Sequence, residues 1–275
     1  FGITTGISTF AANLLVHVDN FILGTIAGTT ALGYYDRAYR IALWPSLLLN
    51  AVVGRAAVFT YSQLQGDIQR LQRSATMMLW LSFNVAIPVT LMLFISAPDL
   101  VRLLFGEQWL PSVPLLRILL VASLVRPLWE NSWSVFIGTG TPRRALELAL
   151  LQLVVLAVAA TVLTYALSAT GTAIAAVLAF SVGLLAARYM LKNRLPLDWR
   201  DILSGPLMAM GLTLAGYVLL VRLIGNLEPL WISVAWKVVW ALLGFALFSL
   251  LVQPKQFMQR ISYAWRLVRG RPQAA

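Results

Sequence analysis

Residues 13–40 read NLLVHVDNFILGTIAGTTALGYYDRAYR, an apolar helical pattern followed by a Gly-rich bend and a charged Tyr-Tyr-Asp-Arg loop. The apolar part carries four polar side chains, namely Asn13, His17, Asp19 and Asn20. An ionisable group near the centre of a bilayer costs roughly 2.5–3.5 kcal/mol on insertion scales, so it normally faces a bundle interior or a wet cavity. We therefore expect the function of the protein to involve this face.

The composition around this stretch is that of a membrane protein. Hydrophobic residues make up 60% of the 275 residues and charged residues only 11%, whereas soluble domains average about a quarter charged residues. Eight stretches are long enough to cross the bilayer: 3–26, 40–60, 75–96, 114–137, 145–166, 171–191, 203–224 and 230–252. Because these runs are much longer than the strands of a membrane barrel, the sequence predicts an all-α polytopic protein with about eight transmembrane helices.

The basic residues indicate the orientation. The loops after spans two, four and six, with the segment after span eight, hold 14 of the 21 Lys and Arg residues, and the alternate loops hold four. Basic residues accumulate in cytoplasmic loops, so both ends of the chain are expected in the cytoplasm. The net charge of +11 then reflects membrane topology, and no nucleic-acid partner is expected.

Several kinds of chemistry have no support in the sequence. The chain has no cysteine and one histidine, which excludes disulfides, thiolate catalysis and His-rich metal sites. Neither a G-x-S-x-G nor an H-E-x-x-H motif occurs. We therefore expect no enzyme, metal or cofactor. The chain begins at Phe1 within apolar sequence, so we also expect a fragment of a longer protein.

The first predicted span has a polar or small stripe at helical spacing, formed by Gly2, Gly6, Thr9, Asn13, His17, Asn20 and Gly24. Asp19 falls outside this stripe. Two interpretations remain open: the stripe is a packing seam in which His17 is a satisfied core group, or it lines a water-filled cavity.

The fourth predicted span contains a second polar group. Arg126 and Glu130 are four residues apart and share a helix face, so they can pair. The pair is either structural or leaves Arg126 able to contact an anion. Arg117 lies nearly opposite Arg126 and nearer the outer end, where it can snorkel. Lys237 in span eight is interpreted as snorkelling or packing. The carboxylates predicted within spans are Asp19, Glu130 and Glu147.

Four stretches resemble bacterial polysaccharide exporters of the multidrug/oligosaccharidyl-lipid/polysaccharide exporter superfamily. The first is DNFILG at 19–24 followed by ALGYYDRA at 31–38, similar to a D-x-x-I-L-G … A-L-G-Y-Y-x-R-A pattern. The others are FTYSQLQGD at 59–67, where Thr60 replaces the usual proline, LFGEQW at 104–109 and GTGTPR at 138–143. The four occur in the family's order, and the remainder of the chain matches only as hydrophobic spans.

The resemblance implies a protein of fourteen spans, with two six-helix lobes around a cavity and two additional C-terminal helices. This chain then corresponds to the second lobe at 1–192, the additional pair at 193–253 and a basic amphipathic cytoplasmic tail at 254–275. The first lobe is missing from the sequence and is an expected partner, as is the polysaccharide polymerase machinery.

The resemblance also implies the function: moving an undecaprenyl-diphosphate-linked oligosaccharide across the bacterial inner membrane for surface polysaccharide synthesis. Arginines suit the diphosphate, and amide, hydroxyl and aromatic groups suit the sugar. The candidate cargo contacts are Asn13, His17, Asn20, Arg40, Arg117, Arg126, Trp129 and Trp133. The candidates for coupling to an ion gradient are Asp19 and Glu130. The lipid tail is expected to remain in membrane lipid.

Two other functions are alternatives. A multidrug/cation antiporter of the same superfamily predicts an acidic cavity, whereas two arginines against one or two carboxylates favour an anionic cargo. A membrane glycosyl- or acyltransferase predicts an acidic pair in a loop at the membrane surface. Asp198 and Asp201 are the nearest match, and we interpret them as solvated loop charges.

Overall fold

The computed structural model describes residues 2–15, 17–50, 55–192, 195, 197–224, 229–254, 257, 258 and 260. Every regular element in these ranges is helical, which confirms the all-α fold. The α-helices are α1 (Gly2–Leu14), α2 (Val18–Ala42), α3 (Trp44–Leu49), α4 (Arg55–Gln63), α5 (Ile68–Phe105), α6 (Ser112–Gly138), α7 (Pro142–Leu167), α8 (Ala169–Leu191), α9 (Trp199–Ile224) and α10 (Leu230–Val252). A short 3₁₀ helix, Glu107–Trp109, precedes α6.

The last six predicted spans are single helices. Within the described ranges, α5 to α10 are each long and apolar enough to cross a membrane. Many apolar side chains on the outside of α7, α9 and α10 are exposed, as expected where a helix faces lipid. The protein is therefore a multi-pass membrane protein.

The first two predicted spans are interrupted, which corrects the expectation of continuous helices at 3–26 and 40–60. The first is divided between α1, which ends at Leu14, and α2, which begins at Val18. In the last turn of α1, the Asn13 amide donates to the Thr9 carbonyl at 2.9 Å, the kind of local bond that competes with a regular helix.

The second predicted span passes through the end of α2, α3 and α4, with 51–54 outside the described residues. Pro45 lies at the start of α3, and a proline there cannot donate a backbone hydrogen bond and displaces the carbonyl four residues earlier. The regular helix therefore ends at Ala42.

A sharp bend at Gly28 confirms the expected Gly-rich bend. Gly28 has φ 83° and ψ 177° within an otherwise helical α2, a conformation that glycine adopts at little cost. The Tyr35 hydroxyl donates to Asp19 Oδ2 at 2.7 Å, although a straight helix would separate these residues by about 24 Å. The halves of α2 therefore fold back on each other. The expected loop at 34–37 is wrong, since one glycine makes the turn and these residues are helical.

Buried apolar residues form two clusters, and α5 contributes to both. The larger cluster joins α5 with α2, α6, α7 and α8. The smaller one packs a stripe of α5 against α9 and α10, and that stripe consists of Leu79, Phe83, Ile87, Leu91 and Ile95. Residues four apart lie on one helix face, so α5 presents a separate face to the last two helices. The division of the chain at residue 192 stays a prediction, and most of the predicted tail at 254–275 lies outside the described residues.

Candidate functional site

Helix α6 supplies polar side chains to the interrupted second span. The Ser123 hydroxyl donates to the carbonyl of Ala42 at 2.6 Å, the last residue of α2. Carbonyls at a helix end have no partner within the helix, and lipid offers none. On the opposite side of the interruption, the Asn131 amide donates to the Tyr61 hydroxyl of α4 at 3.1 Å. Side chains of α6 therefore contact both α4 and the end of α2.

Between these two contacts lies the predicted ion pair of Arg126 and Glu130. The Arg126 Nε donates to Glu130 Oε1 at 2.9 Å, and the two side chains are 17% and 18% exposed. The Tyr39 side chain is a second polar neighbour of Arg126, and Asn50, the residue after α3, is a neighbour of Glu130. The Arg126 guanidinium also lies 5.4 Å from the ring centre of Phe180. The pair thus connects α6 to residues on both sides of α3.

A small cavity borders the carboxylate end of this pair. Its volume is about 30 Å³, which is room for one or two water molecules. It is lined by Leu49, Asn50, Ala57, Ser82, Pro127, Glu130, Asn131 and Ser134. Carboxylate, amide and hydroxyl groups make up much of this lining, so the cavity suits water or a small polar group. We call the Arg126–Glu130 pair with this cavity the α6 site.

The two tryptophans predicted as sugar contacts belong to α6 but pack into the protein. Trp129 is buried, and its ring lies edge-on to Phe180 with centres 6.1 Å apart. Trp133 is partly buried against the larger core. Neither indole N–H has a hydrogen-bond partner among the described residues. Stacking of a sugar on Trp129 would require Phe180 or a neighbouring side chain to move.

The polar stripe of the first span does not form a seam within this chain. Asn13 and His17 are exposed, so the interpretation of His17 as a satisfied core group is wrong. A Cβ atom at Gly6 would meet nothing within 4 Å, and the interruption after Leu14 separates the stripe into two helices. Asn20 is half-buried. This face of the chain is uncovered near Asn13.

Asp19 is the most buried of the predicted coupling residues, at 1% exposure. Its Oδ2 accepts a hydrogen bond from the Tyr35 hydroxyl, and its Oδ1 accepts one from the backbone N–H of Asn20 at 2.8 Å. None of the described basic side chains lies within 4 Å of it, whereas Glu130 has Arg126. A buried carboxylate with neutral hydrogen-bond donors is more stable when it is protonated or next to a bound cation than as an isolated negative charge.

Two of the predicted arginines lie apart from the α6 site. Arg40 is exposed, and its Nε donates to Asp36 Oδ2 at 2.9 Å. Arg117 is exposed, and its guanidinium lies 5.4 Å from the ring centre of Phe94. The structure therefore groups Arg126 with Glu130 and places the other two cations elsewhere.

One buried ion pair was not predicted. Lys237 Nζ lies 2.5 Å from Asp99 Oδ2, and the Ser233 hydroxyl donates to the same oxygen at 2.7 Å. Of the two interpretations of Lys237, snorkelling is wrong and packing is confirmed, because its side chain is only 7% exposed. Asp99 was omitted because the third span was expected to end at 96, whereas α5 continues to Phe105. The spacing of Asp99 could have identified it, because Asp99 lies four residues beyond Ile95 and so on the same face of the helix. No cluster of three metal-binding side chains occurs among the described residues.

Comparison with known proteins supports the resemblance. Residues 1–114 match a family described as "Polysaccharide biosynthesis protein". The chain is 27% identical over 133 residues to the teichuronic acid biosynthesis protein TuaB of Bacillus subtilis, covering 48% of this chain and 28% of TuaB. It is 28% identical over 113 residues to the lipopolysaccharide biosynthesis protein WzxC of Escherichia coli, covering 41% of this chain and 23% of WzxC.

Solved structures extend the similarity to nearly the whole chain. The lipid II flippase MurJ, in an inward closed conformation, matches with a TM-score of 0.76 at 13% identity, covering 91% of this chain and 53% of MurJ. An outward-facing multidrug resistance transporter of the MATE family matches with a TM-score of 0.61 at 14% identity, covering 96% of this chain and 66% of that transporter. The chain therefore has a fold similar to those of these two proteins. It spans about a quarter of the length of the two curated relatives and about half of the flippase.

Removal of the Glu130 carboxylate should destabilise the protein far more than removal of an exposed one. Glu130→Ala leaves a buried guanidinium without its partner, which costs about 3–5 kcal/mol. Glu147→Ala is the matched control, because Arg143 and Glu147 form the same four-residue pair with side chains 88% and 43% exposed, and such pairs contribute at most about 1 kcal/mol. Thermal unfolding in detergent measures both. Equal losses of stability would show that the Arg126–Glu130 pair is effectively solvated.

Proposed function

We propose that this chain is part of a flippase that moves a lipid-linked oligosaccharide across the bacterial inner membrane during surface polysaccharide synthesis. The family match over 1–114 and the similarity to two polysaccharide biosynthesis proteins support this activity. The likeness to transporter structures supports a transporter rather than a transferase. The charge distribution described above supports cytoplasmic ends for this segment. The missing first lobe and the polymerase machinery are its proposed partners.

The strongest support for this proposal is the buried pair of Arg126 and Glu130, whose carboxylate borders a small polar cavity. A guanidinium has five N–H donors in a planar fork, which matches two oxygens of a phosphate group. In the described structure the Nε of Arg126 is engaged by Glu130. An arriving diphosphate can compete for the same cation, because both ligands are anionic oxygens. We propose that the diphosphate exchanges with Glu130 on Arg126.

The polar surroundings of Arg126 offer positions for the rest of the headgroup. Asn50, Ser82 and Ser134 line the cavity beside Glu130 and can hydrogen-bond to sugar hydroxyls. Asn13 and His17 form the uncovered face of the first span. We propose that this face and the α6 site line opposite sides of the path of the headgroup. Arg40 and Arg117 then contact the headgroup on its way to Arg126 and not at the α6 site itself.

A cation antiporter is less well supported by the same geometry. A cavity for organic cations needs uncompensated carboxylates, whereas the Glu130 carboxylate is neutralised by Arg126 at 2.9 Å. Asp19 is the exception, because it is buried with hydroxyl and backbone donors only. We propose that Asp19 binds the coupling proton or cation and that Glu130 accepts a proton or cation after it leaves Arg126.

Substitution of Arg126 should stop export without preventing insertion. Arg126→Ala in the full-length protein removes a charge-assisted contact of about 1.5–3 kcal/mol, so surface polysaccharide should fall at least about tenfold. Arg143→Ala is the control, since Arg143 is exposed on α7. Surface polysaccharide is quantified at equal membrane levels of the proteins. Unchanged polysaccharide in Arg126→Ala would remove this residue from the cargo site.

Substitution of Asp19 should change the energy coupling of transport. Asp19→Asn keeps the size of the side chain and a carbonyl acceptor for Tyr35 but cannot exchange a proton or neutralise a cation. We expect transport into vesicles to lose its response to an imposed ion gradient. The control is Asp36→Asn, because Asp36 is paired with Arg40. If Asp19→Asn responds to an uncoupler as the unmodified protein does, then Asp19 has only a structural role.

A further inference from the structure

Helices α5 and α10 face each other through two stripes with the same spacing. On α5 the buried stripe at 79, 83, 87, 91 and 95 continues to Asp99. On α10 the buried residues with this spacing are Ser233, Lys237, Ala241, Phe245 and Ser249. Asp99 near the end of α5 contacts Lys237 near the start of α10, so the two helices are antiparallel.

In lipid, two stripes of this kind do not by themselves determine how α10 is positioned along α5. Lipid tails are as apolar as the stripe residues, so association depends on packing and polar contacts rather than on the hydrophobic effect. A slip of α10 by four residues, about 6 Å, would still place much of one stripe on the other. Such a slip would leave Lys237 and Asp99 without partners in an apolar interface, so the ion pair distinguishes one alignment from its neighbours.

A second contact lies at the opposite end of the same interface. Trp80 of α5 packs edge-on against Phe257, with ring centres 5.7 Å apart. The Arg260 guanidinium lies 5.3 Å from the ring centre of Trp80 and pairs with Asp201 of α9. Trp80 and Asp99 are 19 residues apart, or about 28 Å along α5, which is close to the thickness of the hydrocarbon core. The α9–α10 pair is thus attached to α5 at two distant points.

We propose that Asp99 and Lys237 are positioning residues that set the alignment of α10 on α5, with Ser233 fixing the carboxylate. Their pairing makes α9 and α10 move as one body with α5. The inference does not depend on the proposed cargo, because the alignment is measured without it.

The test uses spin labels at Leu104→Cys on α5 and Leu251→Cys on α10, which lie at opposite ends of the interface, so that a slip along the helix axis changes their distance by nearly its full length. Both positions are exposed, and this chain contains no other cysteine. Double electron–electron resonance on the full-length protein in lipid nanodiscs should give one narrow distance. Asp99→Asn and Lys237→Met should each broaden it or shift it by about one helical turn, about 5–6 Å. The exchanged variant Asp99→Lys with Lys237→Asp should restore the narrow distance.

The controls remove similar charges elsewhere. Lys192→Met and Glu107→Gln should leave the distance unchanged, because both side chains are exposed and lie outside this interface. If the single variants at the pair fail to fold, Ser233→Ala removes only one bond to Asp99 and should broaden the distance to a smaller degree. An unchanged distance in the folded single variants or in Ser233→Ala would overturn the proposal. A broad distance in a folded exchanged variant would also overturn it, because the exchanged charges can form the same pair.

Discussion

The hydrocarbon core of a membrane contains no water that could satisfy a charged side chain or a free carbonyl group, so each such group needs a partner within the protein. In this chain the partners of the interrupted second span come from one helix, α6. The Ser123 hydroxyl donates to the carbonyl at the end of α2, and the Asn131 amide donates to the Tyr61 hydroxyl of α4. Between them, Arg126 and Glu130 satisfy each other. The irregular backbone is tolerated because α6 lies beside it.

Polar side chains that could bind a substrate or an ion therefore lie beside the interrupted helices. Many secondary transporters bind substrates and coupling ions at discontinuous helices, where polar groups are available near the centre of the bilayer. Here the first break lies next to Asn13 and His17, and the second lies at Leu43, between α2 and α3. The α6 site borders the second break, and Asp19 lies just beyond the first. The continuous helices α5 to α10 form the support, with α5 joining two separate apolar clusters.

Much of the fold could be predicted from the sequence, because long apolar runs have few alternatives in lipid. The six continuous spans and the bend at Gly28 follow from run length and glycine chemistry. The Arg126–Glu130 pair follows from four-residue spacing on one helix. The interruptions were not located, because hydropathy is insensitive to a helix break, although Pro45 marks the second one and the polar residues around His17 mark the first. Asp99 was missed for a related reason: a charge after an apolar run normally marks the end of a span, whereas its partner here is on α10, 138 residues away in sequence.

The central claim is that a lipid-linked oligosaccharide crosses the membrane beside Arg126. Its most direct test is a flipping assay with the purified full-length protein in vesicles. A fluorescent undecaprenyl-diphosphate oligosaccharide is placed in the inner leaflet, and its appearance outside is followed by quenching. We expect flipping well above that of protein-free vesicles. The absence of such flipping by a protein that moves organic cations in the same vesicles would contradict it and favour a cation antiporter.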